Sequence, residues 1–154
     1  LATYIELLIT YVGDRNTIMA DDIHALSADI SQRIFDFSES IKTRSLKRAL
    51  FCLQSLLSHG EEPVQLLGLL CANIRTYLMI CTLSQQGMSY QEIGKSLGKH
   101  PFFIQKLAPV VQKYYTTQSL SELIQVLNEA DISIKSGALS PRKSIELAVM
   151  RICV

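Results

Sequence analysis

EPVQLLGLLCANIRTYLMICTLSQQ, residues 62–86, is the stretch whose reading decides the fold. As a helix it would run roughly 36 Å at 1.5 Å per residue. Leu66, Leu70, Ile74, Tyr77, Leu78 and Cys81 fall on one face, while Leu67, Leu69, Cys71, Met79, Ile80 and Leu83 spread the apolar surface almost all the way round. A helix apolar on nearly every side belongs at the centre of a bundle or inside a membrane. The length would permit a span, for which about 20 apolar residues suffice. Arg75 near the middle would cost about 2.5–3.5 kcal/mol on insertion, and Gln65, Asn73 and Thr76 oppose it further. The stretch is therefore expected to be a buried central helix with no membrane role. Gly68 and Ala72, one turn apart, would leave room for a neighbouring backbone, and Arg75 would need a carboxylate or carbonyl partner unless its stem snorkels outward.

The segment before it ends at His59-Gly60-Glu61-Glu62-Pro63, a glycine stop followed by a proline start. Ser45 to Ser58 carries Leu46, Ala49, Leu50, Leu53, Leu56 and Leu57 at helical spacing, so the central helix is expected to fold back on this predecessor. Earlier still, Leu1, Ile5, Leu8, Ile9 and Val12 mark a first helix halted by Gly13-Asp14. Thr17 to Ser27 reads as a short second helix with Ile23 and Leu26 inward. Asp29 to Ser31 reads as a joint, and Ile34, Phe35, Phe37 and Ile41 as a third helix.

Downstream, Ser89-Tyr90-Gln91-Glu92 is a capping box, with Met88 and Ile93 where a hydrophobic staple would lie. That short helix ends at Gly98. His100-Pro101 starts another, with Ile104, Leu107, Ala108, Val111 and Tyr115 on one side and Pro109 expected to kink it without ending it. Ser119-Leu120-Ser121-Glu122 looks like a second capping box, opening a helix with Leu120, Leu123, Leu127, Ala130 and Ile134 inward and an Asp131–Lys135 surface pair. Gly137 ends it, and Ser140-Pro141 opens the last helix, striped by Ile145, Ala148, Val149 and Ile152. No stretch alternates with period two for long enough to be a strand. The expected class is all-α, a multi-helix bundle.

At 154 residues, 48% of them hydrophobic, the chain holds one domain or one plus a fragment of another. The formal charge of +1 is uneven: −4 over residues 1–30, +3 over 31–60 and +2 over 61–154. The change near residue 30 is a candidate domain boundary, and the total excludes the strongly basic surface of a dedicated nucleic-acid binder. Cys52, Cys71, Cys81 and Cys153 lack paired close spacing and read as buried small hydrophobes of a reducing compartment. They and His24, His59 and His100 show no metal-ligand pattern. No basic segment precedes the opening apolar run, so no signal peptide is expected. The chain begins in mid-pattern without methionine and is read as part of something longer.

Motifs that could carry chemistry have plainer explanations. Gly94-Lys95-Ser96 resembles the tail of a phosphate loop, but position 89 is Ser where that loop needs glycine, and no strand precedes it. Residues 89–115 mimic a helix-turn-helix flanked by Lys95, Lys99, Lys106 and Lys113. The second helix would open on Pro101-Phe102-Phe103-Ile104, which suits packing against protein better than reaching base edges. Lys42, Arg44, Lys47 and Arg48 form the densest basic cluster and read as a solvated helix face with at most a weak phosphate contact. The acidic pairs Asp21-Asp22 and Glu61-Glu62 read as helix N-terminal charges, and His100 as a cap. No catalytic constellation appears.

Several landmarks together resemble the delta subunit of the bacterial DNA polymerase III clamp loader, in its C-terminal portion. They are Tyr11-Val12-Gly13-Asp14 with Ile18 and Asp22-Ile23, Ile34-Phe35-Asp36, Leu46-Lys47-Arg48-Ala49-Leu50, Gly60-Glu61-Glu62-Pro63, Leu66-Leu67, Arg75, Gly98-Lys99-His100-Pro101-Phe102 and Ala130-Asp131-Ile132-Ser133-Ile134-Lys135-Ser136-Gly137. Met19 in place of a capping Thr, Thr43-Arg44 in place of a glycine turn, and Pro109 depart from the pattern. The resemblance implies residues 1–30 as the end of a helical AAA+ lid and 31–154 as the collar, an oligomerisation domain. It implies no catalysis, no cofactor and a cytoplasmic setting. Its partners would be the gamma/tau and delta prime loader subunits, with the sliding clamp reached only through an N-terminal domain outside this chain and DNA contacted weakly or indirectly. The family-motif positions are Phe35, Asp36, Arg75, His100, Pro101, Asp131, Lys135 and Gly137. A helix-turn-helix DNA-binding regulator using residues 89–115 is the competing class.

Overall fold

The computed structural model describes residues 2–15 and 17–154, without the side chains of residues 2–4 and 7. Leu1, counted in the first apolar stripe, lies outside them. The described residues form eight helices and no strand: α1 (Ala2–Val12), α2 (Ala20–Lys42), α3 (Leu46–Ser58), α4 (Pro63–Gln85), α5 (Tyr90–Ser96), α6 (Pro101–Tyr114), α7 (Thr117–Lys135) and α8 (Pro141–Cys153). Local chemistry sets most of the ends. Ser89 accepts from the amide of Glu92 while Glu92 accepts from the amide of Ser89 at 2.8 Å. The ring nitrogen of His100 accepts from the amide of Phe102, and Pro101 holds the first turn of α6.

Three boundaries differ from the expectation, the first being the start of α2 at Ala20 and not at Thr17. No joint exists at residues 29–31, because α2 runs unbroken through them. Neither Pro nor Gly stands there, and Asp29 pairs with Arg33 at 2.8 Å, an i,i+4 contact that only a continuous helix makes. The start of α7 is also earlier than the Ser119 box. Thr116 is the cap, accepting from the amide of Ser119, whose hydroxyl accepts from the amide of Thr116 at 3.0 Å. Glu122 accepts from Gln118 instead. At the start of α2, Met19 cannot cap, but Asp22 still reaches back to the Met19 amide at 2.9 Å and takes a 2.7 Å bond from Arg15.

Packing departs further. The hairpin expected between α3 and α4 is replaced by α3 against α2 and α8, and α4 against α6, α7 and α8. The C-terminal helix α8 lies between them and touches α2, α3, α4 and α7. The loop at Gly60–Glu62 turns the chain without choosing which apolar stripe the next helix meets. Phe37, Ile41, Leu53, Leu56, Leu70, Ile74, Ile80, Ile93, Ile104, Leu120, Leu127 and Ile145 are fully buried in one shared core. Each contributes about 1.5–3 kcal/mol of transfer free energy. At the other end, α1 packs on α2 through Leu8, Val12 and Leu26. Ile23, expected inward, is exposed, as are Ile5 and Ile9 of the first apolar stripe: a stripe says which face is apolar, not whether another element covers it.

The corner between α2 and α3 is pinned from α6. Tyr115 donates its hydroxyl to the carbonyl of Ile41 at 2.5 Å, and the Arg44 guanidinium lies 5.5 Å from the Tyr115 ring. Arg44 has φ +52°, the left-handed conformation that the missing glycine would have taken freely.

Candidate interaction surface

The helix expected to be wrapped on every side is wrapped on one. Leu66, Leu67, Leu70, Ile74, Tyr77, Ile80 and Cys81 of α4 are buried, while Val64, Gly68, Ala72, Arg75 and Met79 are exposed along its opposite face. These positions recur every three or four residues, so they form a single stripe about 22 Å long. No neighbouring backbone approaches Gly68: a Cβ built there would meet nothing within 4 Å. Arg75 makes no hydrogen bond or ion pair among the described residues. The guanidinium is exposed, which is the outward alternative that the sequence left open.

A groove lies on each side of this stripe. The first, of about 510 Å³, runs between α4 and α7, with Val64, Gly68, Cys71 and Arg75 on one wall and Ile124, Asn128 and Asp131 on the other. Asp131 is held by Lys135 at 2.5 Å, so it does not neutralise Arg75 directly. Burial pushes the Cys71 thiol above its ordinary value. The second groove, of about 430 Å³, is floored by Ala72, Asn73 and Thr76 of α4. Phe35 of α2 forms one rim and Phe103 of α6 the other, 56% and 47% exposed.

The positions singled out in the sequence do not converge on one centre. Arg75 and Asp131 share the α4–α7 groove, and Phe35 lines the α2–α4–α6 groove. Asp36 pairs with Arg48 at 2.9 Å, tying α2 to α3. His100 and Pro101 shape the start of α6. Lys135 and Gly137, the latter at φ +73°, close α7. The supposed basic cluster is dispersed: Lys42 pairs with Glu39, Arg44 lies over Tyr115 and Arg48 pairs with Asp36, so of the four only Lys47 is a plain solvated cation. Gly94-Lys95-Ser96 is helical, as its cap implied. Gly94 has a structural duty that sequence reasoning missed, since a Cβ there would come within 2.8 Å of the Lys99 carbonyl oxygen.

The aromatic start of α6 also behaves differently from expectation. Ile104 is buried, but Phe102 and Phe103 are exposed, with Lys106 and Lys99 respectively over their rings at 5.5 and 5.7 Å. The signal was present as lysines placed at 99 and 106 around the two phenylalanines. It reads as an open face, not as packing within this chain.

Residues 31–152 match the family described as DNA polymerase III delta subunit, C-terminal domain. The DNA polymerase III subunit delta of Bacillus subtilis (strain 168) is 29% identical over 149 residues, covering 96% of this chain and 43% of that protein. A probable DNA polymerase III subunit delta of Aquifex aeolicus (strain VF5) is 22% identical over 129 residues, covering 82% and 37%. The solved Bacillus subtilis DNA clamp loader delta protein aligns with a TM-score of 0.71 at 28% identity, covering 97% of this chain and 44% of that one. The chain thus spans less than half the length of these relatives. The helix-turn-helix regulator finds no support in them, and α6 opens on phenylalanines in place of base-reading polar side chains. With a match that extends over most of its length, this chain belongs to the DNA polymerase III delta subunit family, in the part described as the C-terminal domain.

Proposed function

We propose that this chain is a non-catalytic assembly module of a cytoplasmic clamp loader. Residues 31–154 act as the collar that joins gamma/tau and delta prime subunits in a ring, and residues 1–30 are the end of the lid. The observation that carries this is the uncovered outer face of α4. An apolar helix at the heart of the sequence keeps Val64, Gly68, Ala72 and Met79 in water, next to a groove completed by α7. Small residues on that stripe allow a partner helix to approach closely, and apolar anchors rather than a cleft would supply the binding energy. The family matched by residues 31–152 supports the division at residue 30, although α2 crosses it as one helix, so the lid end and the collar would turn together. The sliding clamp would be held elsewhere in the full-length protein, and DNA would be met weakly or indirectly.

Size-exclusion chromatography of the full-length subunit with the other loader subunits tests this. Co-elution is expected for the wild type and its loss for Gly68→Arg, which introduces a long cation where this chain itself leaves open space. Co-elution of Gly68→Arg at wild-type level, with its melting temperature unchanged, would remove α4 from the interface. Failure of the wild type to co-elute would remove the collar reading itself.

A further inference from the structure

We propose that the groove between α2, α4 and α6 docks a short acidic segment of another protein through one apolar side chain seated between Phe35 and Phe103. This goes beyond ring assembly and uses a different side of α4. Residues 93–121 contain four lysines and no carboxylate. Lys99 and Lys106, both lining this groove, form no ion pair and lie over phenyl rings. The single acid on the opposite wall, Glu39, is already taken by Lys42 at 2.5 Å. The groove therefore presents cations without counter-ions around an apolar slot. Its volume, about 430 Å³, lies within the roughly 300–1,000 Å³ range of small binding sites.

The floor favours an apolar anchor. Ala72 puts only a methyl group on the floor and so leaves room there, and Asn73 spends a hydrogen-bond donor on Ser38 at 3.3 Å. Below, Tyr77 is buried, with its hydroxyl pushed well above the ordinary range by desolvation. Lys99 lies in the turn just before α6 and Lys106 within its second turn. An extended segment turns alternate side chains to one face, so an apolar residue with a carboxylate two positions away on either side presents all three to the groove. Two lysines beside one apolar slot suit a single apolar anchor flanked by carboxylates, whereas a nucleic acid would need phosphate contacts along a track of cations.

Fluorescence anisotropy with the full chain tests the assignment. The probe is a labelled peptide with one aspartate two residues before and another two residues after a phenylalanine, and oligothymidylate serves as the competing probe. Micromolar peptide binding is expected, weakened about tenfold or more by Phe103→Ala. The double variant Lys99→Glu, Lys106→Glu should abolish it at low salt and bind instead a peptide carrying lysines for the aspartates. Both lysines and Phe103 are exposed, so the melting temperature should not move. Absence of peptide binding up to millimolar concentration, or binding indifferent to Phe103→Ala, would overturn the proposal. So would oligothymidylate binding here while the peptide does not.

Discussion

Gly68 and Gly94 both sit inside helices, and their alanine variants should move stability in opposite directions. At Gly68 the added methyl meets nothing within 4 Å. The variant therefore keeps only the propensity gain, about 0.8–1 kcal/mol for an exposed helix interior. For a chain of this size that raises the melting temperature by about 2–4 °C. At Gly94 the same gain is opposed by contacts at 2.8 Å with the Lys99 carbonyl oxygen and 3.2 Å with the Pro101 nitrogen and Cα. Those atoms are backbone and cannot rotate aside. The same turn is closed by the Lys99 amide donating to the Gly94 carbonyl at 2.8 Å, so relief would strain that bond. Overpacking of this kind costs about 1–3 kcal/mol, leaving a net loss of up to about 2 kcal/mol. Urea denaturation followed by circular dichroism measures both, with the m-value expected unchanged. A Gly94→Ala variant as stable as wild type, or a destabilised Gly68→Ala, would refute the reasoning. Gly68→Ala carries a second reading: a more stable chain that co-elutes less well with loader subunits would mean that the glycine serves a partner's approach.

Tyr115→Phe removes the hydroxyl that donates to Ile41. That carbonyl keeps the Arg44 amide at 3.0 Å, so the expected loss is about 1 kcal/mol rather than the larger penalty of an orphaned group; an unchanged urea midpoint would show that the bond contributes nothing. Pro109 lies within α6 and is exposed. Pro109→Ala restores a helical amide and should stabilise by about 2–2.5 kcal/mol after the lost proline rigidity of the unfolded chain is counted, whereas loss of cooperative unfolding would show that the helix needs the proline. The Asp22 carboxyl is held below its ordinary value by the Met19 amide first and by Arg15 second. A depressed carboxylate adds stability above the ordinary aspartate value near 3.8 and loses it as pH falls through the folded value. Asp22→Asn should therefore be less stable than wild type at neutral pH, with the gap closing as the solution is acidified below pH 4; a gap constant from neutral to acid would contradict the role given to Asp22.

Most of the helix inventory was legible in the sequence because its signals are local. The Ser89–Glu92 box, the His100 cap, the Pro63, Pro101 and Pro141 starts and the Gly13, Gly60, Gly98 and Gly137 stops each act within four or five residues. Apolar stripes likewise identified the buried sides of α6, α7 and α8. The candidate surface was less legible. Arg75 was left open between an internal partner and an outward snorkel, and Phe102 and Phe103 read as packing against protein; all three are exposed. A side chain's hydropathy does not state which molecule will cover it.

What the sequence determined by itself is the all-helical class, nearly all of the helix ends and the family, since spacing, caps and motif order are properties of consecutive residues. Tertiary structure alone decided that α2 runs through residue 30, that α8 rather than α3 backs α4, and that one face of α4 stays open between two grooves. The reason is geometric: a broad apolar surface can accept several neighbours, and only the simultaneous packing of all eight helices selects which of them it meets and which side is left over.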